Sequence, residues 1–172
     1  MNLINIIDVN VDIFNVFFFL YSLLNLYLVL GTKTSLKSIV FLQMVKFLNQ
    51  HKQLKAVMIR QVQDLIKLSV EWNLTKEERH NLYYECAEVL QDEGDYTGAF
   101  NLYYQALKII DSEQSKTLKK DIQKKIEALV ANAIKSPAVV NFEEILNLDT
   151  VKDAKKKQVV LFTLLDNLLK KD

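Results

Sequence analysis

The chain has 172 residues, half of them hydrophobic, with 22 basic and 21 acidic side chains and a net charge of +1. That length gives one domain, or a fragment of a larger one, with enough apolar material for a core, and the near-neutral balance offers no electrostatic case for a nucleic-acid partner. Three Gly and one Pro leave little punctuation for a many-stranded β fold, and the single Cys, Cys86, excludes an intrachain disulfide and fits a reducing compartment.

The first 32 residues carry only Asp8 and Asp12 as ionisable side chains. Ile13–Leu30 is eighteen residues without a charge, the length at which a transmembrane helix is considered. No basic stretch precedes it and no small-residue cleavage site follows, so it does not read as a signal peptide. Asn15, Ser22 and Asn25 interrupt it, and only Lys33 and Lys37 flank it. Two readings stand: an inner helix of a helical array, buried on most of its surface, or a membrane anchor over Ile13–Leu30. Residues 1–10 read as a ragged terminus.

Gly31 suits the position just past a helix end. Thr34 or Ser35 then caps a helix to about Gln50, with Ile39, Val40, Met44 or Val45, Phe47 and Leu48 inward. After a corner at His51–Gln53, a helix from about Leu54 to Glu71 turns Val57, Met58, Val62, Leu65, Ile66 and Leu68 inward. Trp72-Asn73-Leu74 ends it, Asn73 tolerating the left-handed conformation. Thr75-Lys76-Glu77-Glu78 is a capping box that opens a helix to about Asp92, with Leu82, Tyr83, Cys86, Ala87 and Leu90 on its apolar stripe. Gly94-Asp95-Tyr96 turns the chain into a helix to Ile110, with Ala99, Phe100, Tyr103, Ala106, Leu107 and Ile110 inward.

The stretch Glu71–Leu107 is thus a helical hairpin with small residues at the helix contact and tyrosines around it. It resembles one tetratricopeptide-like unit, present once rather than as a regular repeat.

Ser112 or Ser115 caps a long helix that ends near Lys135, before Ser136-Pro137. Leu118, Ile122, Ile126, Leu129, Val130, Ala133 and Ile134 form its apolar face. Lys116, Lys119, Lys120, Lys124 and Lys125 lie outside. They read either as an RNA-facing patch or as a solvated face with i,i+4 partners, and no aromatic platform in the sequence pattern accompanies them. Asn141 caps a short helix, Phe142–Asn147, whose Glu143 and Glu144 diverge around the axis and make no acid–base pair. Thr150 opens the last helix, Val151–Leu169, with Val159, Val160, Phe162, Leu164, Leu165 and Leu168 apolar.

No pattern carries catalysis. Cys86 sits at helical spacing among Tyr83, Ala87 and Leu90 and reads as a small buried hydrophobe; His80 is six residues away, and His51 reads as a capping or solvated residue. There is no glycine-rich phosphate loop, no metal-ligand spacing and no Ser/His/Asp arrangement. The sequence assigns no catalytic, cofactor-binding or metal-ligating residue and no cofactor. It reads as a non-enzyme.

Several strings line up with a known family. Glu71-Trp72-Asn73-Leu74-Thr75 with its charged helix start, the upstream order from Asn25-Leu26-Tyr27 to Val70, the passage Ala128–Leu148 and the helix Val151–Leu168 together resemble the subunit M family of eukaryotic translation initiation factor 3. The resemblance covers roughly residues 20–170. It implies a PCI-type helical repeat domain over 20–172, an all-α right-handed solenoid of antiparallel helix pairs, with residues 1–19 unassigned. It further implies a non-catalytic scaffold subunit, cytoplasmic, assembled with other PCI and MPN subunits of the factor and acting on the small ribosomal subunit indirectly. No small-molecule substrate is expected, and the head becomes a buried solenoid helix at Tyr21–Leu30 rather than an anchor. Alternatives within the same fold are a scaffold subunit of the proteasome lid or signalosome. The family's winged-helix subdomain has no counterpart before Asp172, and incorporation without it is an open expectation.

Overall fold

The computed structural model describes residues 3–31, 34–50, 62, 64–112, 122–136, 143–155 and 162–163. Among them every regular element is an α-helix: α1 (Leu3–Val29), α2 (Leu36–Gln50), α3 (Leu65–Glu71), α4 (Lys76–Asp92), α5 (Tyr96–Ser112), α6 (Ile122–Lys135), α7 (Glu143–Leu146) and α8 (Asp149–Lys155). The helices pack as neighbours in chain order. α1 lies on α2, α2 and α3 on α4, α4 on α5, α5 on α6, and α8 closes over α5, α6 and α7.

The centre is the α4–α5 hairpin. Its local grammar is visible at both corners. Asn73 takes a left-handed φ of 53°. The Thr75 hydroxyl accepts from the Glu78 amide at 3.2 Å while the Glu78 carboxylate accepts from the Thr75 amide at 2.8 Å, so two otherwise orphaned donors are satisfied. At the second corner Gly94 takes φ 83°, a conformation that costs glycine little. Asp95 then caps α5 by accepting from the Gly98 amide at 3.0 Å. Gly98 is required for a different reason. A Cβ there would stand 2.5 Å from the Asp95 carboxylate and 2.9 Å from the Leu90 side chain. A side chain there would have to push aside the Asp95 carboxylate that caps α5 and the tip of Leu90 in the helix contact.

The stripes expected for α4 and α5 are buried as read. Leu82, Tyr83, Cys86, Ala87 and Leu90 on one helix meet Ala99, Phe100, Tyr103, Ala106, Leu107 and Ile110 on the other. Ile126, Leu129, Val130 and Ala133 of α6, then Ile145 and Val151, extend the same core. Eight residues of the expected sets fall outside the described residues: Val57, Met58, Leu118, Val159, Val160, Leu164, Leu165 and Leu168. The corner at His51 and the caps at Ser115 and Asn141 lie outside them too.

Four expectations are corrected. Ile39 is 56% exposed, because α2 buries the row Ser38, Phe41, Val45 and Leu48, which is turned by about one residue. Ile66 is exposed because α3 buries Leu65 and Ser69 instead. A serine on the inner face is tolerated there because its hydroxyl meets the Tyr83 hydroxyl at 2.5 Å. Thr150 is not a cap: α8 begins at Asp149, and the Asp111 carboxylate accepts from the amides of Asp149 (2.8 Å) and Thr150 (3.0 Å). Ser112 belongs to the last turn of α5, where its hydroxyl donates to the Ile109 carbonyl at 2.8 Å.

Candidate interaction surfaces

The first surface is α1. Far from being buried on most of its surface, it exposes Phe17, Phe18, Tyr21, Leu24, Leu26, Leu28 and Val29, with Phe18 64% and Val29 84% accessible. Among the described residues its main neighbour is α2. It docks through the Phe19–Phe47 ring pair (4.6 Å), the edge-on Tyr27–Trp72 pair (6.1 Å) and Lys37 over the Tyr27 ring (4.6 Å). Trp72, from the family-like corner, also meets Phe41 at 5.5 Å. The corner therefore joins α1 and α2 to the hairpin. Among the described residues no helix is long and apolar enough to cross a membrane; Asn15, Ser22 and Asn25 break the run. A contiguous apolar face of this extent marks a contact site.

The second surface is the seam between α4 and α6, which run in the same direction over α5. His80 of α4 is 1% exposed. The Lys125 ammonium can only donate, so its 3.2 Å contact makes Nε2 of His80 the acceptor. The proton then sits on Nδ1 and donates to the Asn81 side-chain oxygen at 2.9 Å. Burial pushes the His80 pKa down, the Asn81 hydrogen bond opposes this, and Lys125 adds to the lowering. Further along the seam Asn132 donates to Gln91 at 2.6 Å, and the Thr97 and Ser136 hydroxyls meet at 2.7 Å. These polar pairs fix the register of α6 against the hairpin, something apolar contacts alone do weakly.

Of the five lysines expected on the outer side of the long helix, Lys116, Lys119 and Lys120 fall outside the described residues; Lys125 and two lysines beyond that set have aromatic company. Lys125 lies over the Tyr84 ring at 5.2 Å, Lys135 over Tyr96 at 4.9 Å and Lys108 over Tyr104 at 5.4 Å. Tyr84 and Tyr96 come from α4 and α5, so spacing within α6 could not reveal them; Tyr104 stands one turn before Lys108 on α5 itself. A carboxylate set, Glu85, Glu88 and Asp92, lies along the solvent side of α4; Lys46 of α2 is ion-paired with Glu85, and burial with its acidic neighbours raises the Glu88 pKa.

Cys86 is fully buried, and desolvation pushes its thiol up to about 12. It is held as a hydrophobe, as its spacing suggested, and its ionised form is out of reach at neutral pH. Among the described residues no group of His, Cys, Asp and Glu side chains could hold a metal ion.

Comparison with known proteins adds one finding. Over 95 residues the chain is 30% identical to eukaryotic translation initiation factor 3 subunit M of Aspergillus clavatus. The match takes in 55% of this chain and 20% of that protein, so the chain corresponds to about a fifth of its relative's length. No family model matches the chain, and no solved structure matches it. The likeness is distant and partial.

Proposed function

We propose that this chain is a non-catalytic scaffold in the assembly of eukaryotic translation initiation factor 3, acting through protein–protein contacts in the cytoplasm. The observation that carries the reading is the 95-residue match to subunit M of that factor. Two physical features support it. Consecutive helices pack in chain order, as the antiparallel pairs of a right-handed PCI-like solenoid would. Such arrays bind other macromolecules along their faces and ends. The exposed rings of α1 then form a face where a neighbouring subunit would sit, and contact with the small ribosomal subunit would be indirect.

Affinity purification of the tagged full chain from cells tests this. Recovery of other initiation-factor subunits is expected. Recovery of proteasome-lid or signalosome subunits in their place would move the chain to a sister assembly, and recovery of none of the three would overturn the reading.

A further inference from the structure

A groove of about 290 Å³ opens between α3, the first turns of α4 and the end of α5. Its walls combine two kinds of chemistry. Lys76, Arg79 and Lys108 supply three cationic side chains, and no Asp or Glu lines the groove among the described residues. Ile66, Val70 and Ile109 supply the apolar part. Ile66 is 39% and Val70 62% exposed, and both face the opening rather than the core.

The sequence makes this groove by helical spacing. Lys76, Arg79 and Tyr83 recur on one face of α4, Ile66 and Val70 on one face of α3, and Lys108, Ile109 and Ser112 near the end of α5. The arrangement is held rigidly. The Tyr83 hydroxyl is bonded to Ser69 of α3, and the capping box fixes the start of α4. One polar atom is left over. The Arg79 Nε is buried with no hydrogen-bond partner among the described residues, while Arg79 as a whole is half-buried, so a carboxylate would meet the remaining part of its guanidinium.

We infer that the groove formed by Lys76, Arg79 and Lys108 with Ile66, Val70 and Ile109 is a docking site for an acidic peptide segment of a partner protein, one carrying a Leu, Ile or Phe beside Asp or Glu. The charge is complementary: three cations meet carboxylates, and the planar guanidinium suits a carboxylate in particular. The apolar wall takes the neighbouring side chain. Single-stranded RNA fits less well. Base binding uses an exposed aromatic face, and the one ring lining the groove, Tyr83, is 4% exposed. The site extends the scaffold reading without depending on the identity of the assembly, since a chain that joins no initiation factor could still bind such a peptide.

The test uses the purified full chain against a displayed library of random dodecapeptides, with the double variant Lys76→Glu/Lys108→Glu selected in parallel. A charge-matched control, Lys124→Glu/Lys135→Glu, lies on α6. Circular dichroism confirms that all three proteins are folded. Peptides selected by the native chain should be enriched in Asp and Glu next to Leu, Ile or Phe. The most enriched one, labelled with fluorescein, should bind the native chain and the α6 control alike. It should bind the groove variant at least tenfold more weakly, and bind the native chain more weakly as salt rises. Val70→Asp should weaken it as well. The inference is overturned if acidic residues are not enriched, if the peptide binds the groove variant as well as the native chain, or if a labelled oligouridine displaces it while losing affinity in the same variant.

Discussion

Asp111, at the end of α5, caps a helix that begins 38 residues later: its two carboxylate oxygens accept the amides of Asp149 and Thr150 at 2.8 and 3.0 Å. This bridge fixes where α8 starts and brings Val151 into the core, where it is fully buried. Asp111→Ala should therefore cost about 1 kcal/mol, and up to about 2 kcal/mol, the range for loss of a helix cap. Asp111→Asn should retain part of that. Urea denaturation of the three proteins measures it, and equal midpoints would mean that the bridge does not hold α8 in solution.

His80 gives the fold a pH dependence of defined sign. Its folded pKa is lowered from the ordinary value by burial, with Lys125 adding to the lowering against the partial compensation of Asn81 and Glu77. The neutral imidazole is the form that accepts from Lys125. Its contribution is complete above the unfolded pKa of about 6.5 and is lost as pH falls through the folded value. The native chain should therefore lose stability between pH 7.5 and 5.5 by a margin that His80→Gln does not share. Thermal melts across that interval decide it; identical slopes would remove His80 as the cause.

The α4–α5 contact has no spare volume. Ala99 is fully buried, so Ala99→Leu should overpack the hairpin and cost on the order of 1–3 kcal/mol. Gly98→Ala sets a gain of about 1 kcal/mol in helix propensity against the Asp95 and Leu90 contacts at 2.5 and 2.9 Å. The contacts should win and lower the melting temperature. A rise would show that the Asp95 cap can shift aside.

Cys86 is shielded both by burial and by a thiol pKa pushed up to about 12. Iodoacetamide at pH 8 should label it only through opening of the α4–α5 core, so its labelling rate should rise with urea in step with unfolding. Fast labelling of the native chain would contradict the packing described for α4.

How much of this was legible in the sequence follows from where each signal lies. Both hairpin corners could be read, because Asn73, Thr75, Glu78 and Gly94 act on their own backbone neighbourhood. The α4 and α5 stripes could be read because each has one strongly apolar face. On α2 and α3 one residue each was misplaced, Ile39 and Ile66, for opposite reasons. α2 offers apolar residues on adjacent rows, so Ile39 and Phe41 compete. α3 places a serine inward, and that serine is acceptable only because Tyr83 is there to bond it. The Asp111 cap, the His80–Lys125 contact and the Lys125–Tyr84 and Lys135–Tyr96 pairs each join helices that are distant in sequence, and spacing within one helix carries no trace of them. The exposure of α1 was hidden for a simpler reason: a charge-free helix has the same composition whether it is covered or not.

The α1 face should therefore separate folding from assembly. Phe18→Glu with Leu28→Glu changes two side chains that are mostly in solvent, so stability should move by no more than about 0.5 kcal/mol. Co-purification of partner proteins should fall sharply. If the partners are retained, α1 is not where they bind.

That face also has a bearing on how much of the chain a cell keeps. Rings such as Phe17 and Phe18, displayed on a helix that carries no charge from Ile13 to Leu30, are what chaperones and proteases use to sort unfinished proteins from finished ones. A copy made in excess of its partner shows that mark throughout its life, and a copy in a complex does not. Abundance of the chain is then set by the supply of whatever covers α1, and a pulse-chase experiment with that partner depleted should show the half-life of the chain shortening while its synthesis is unchanged.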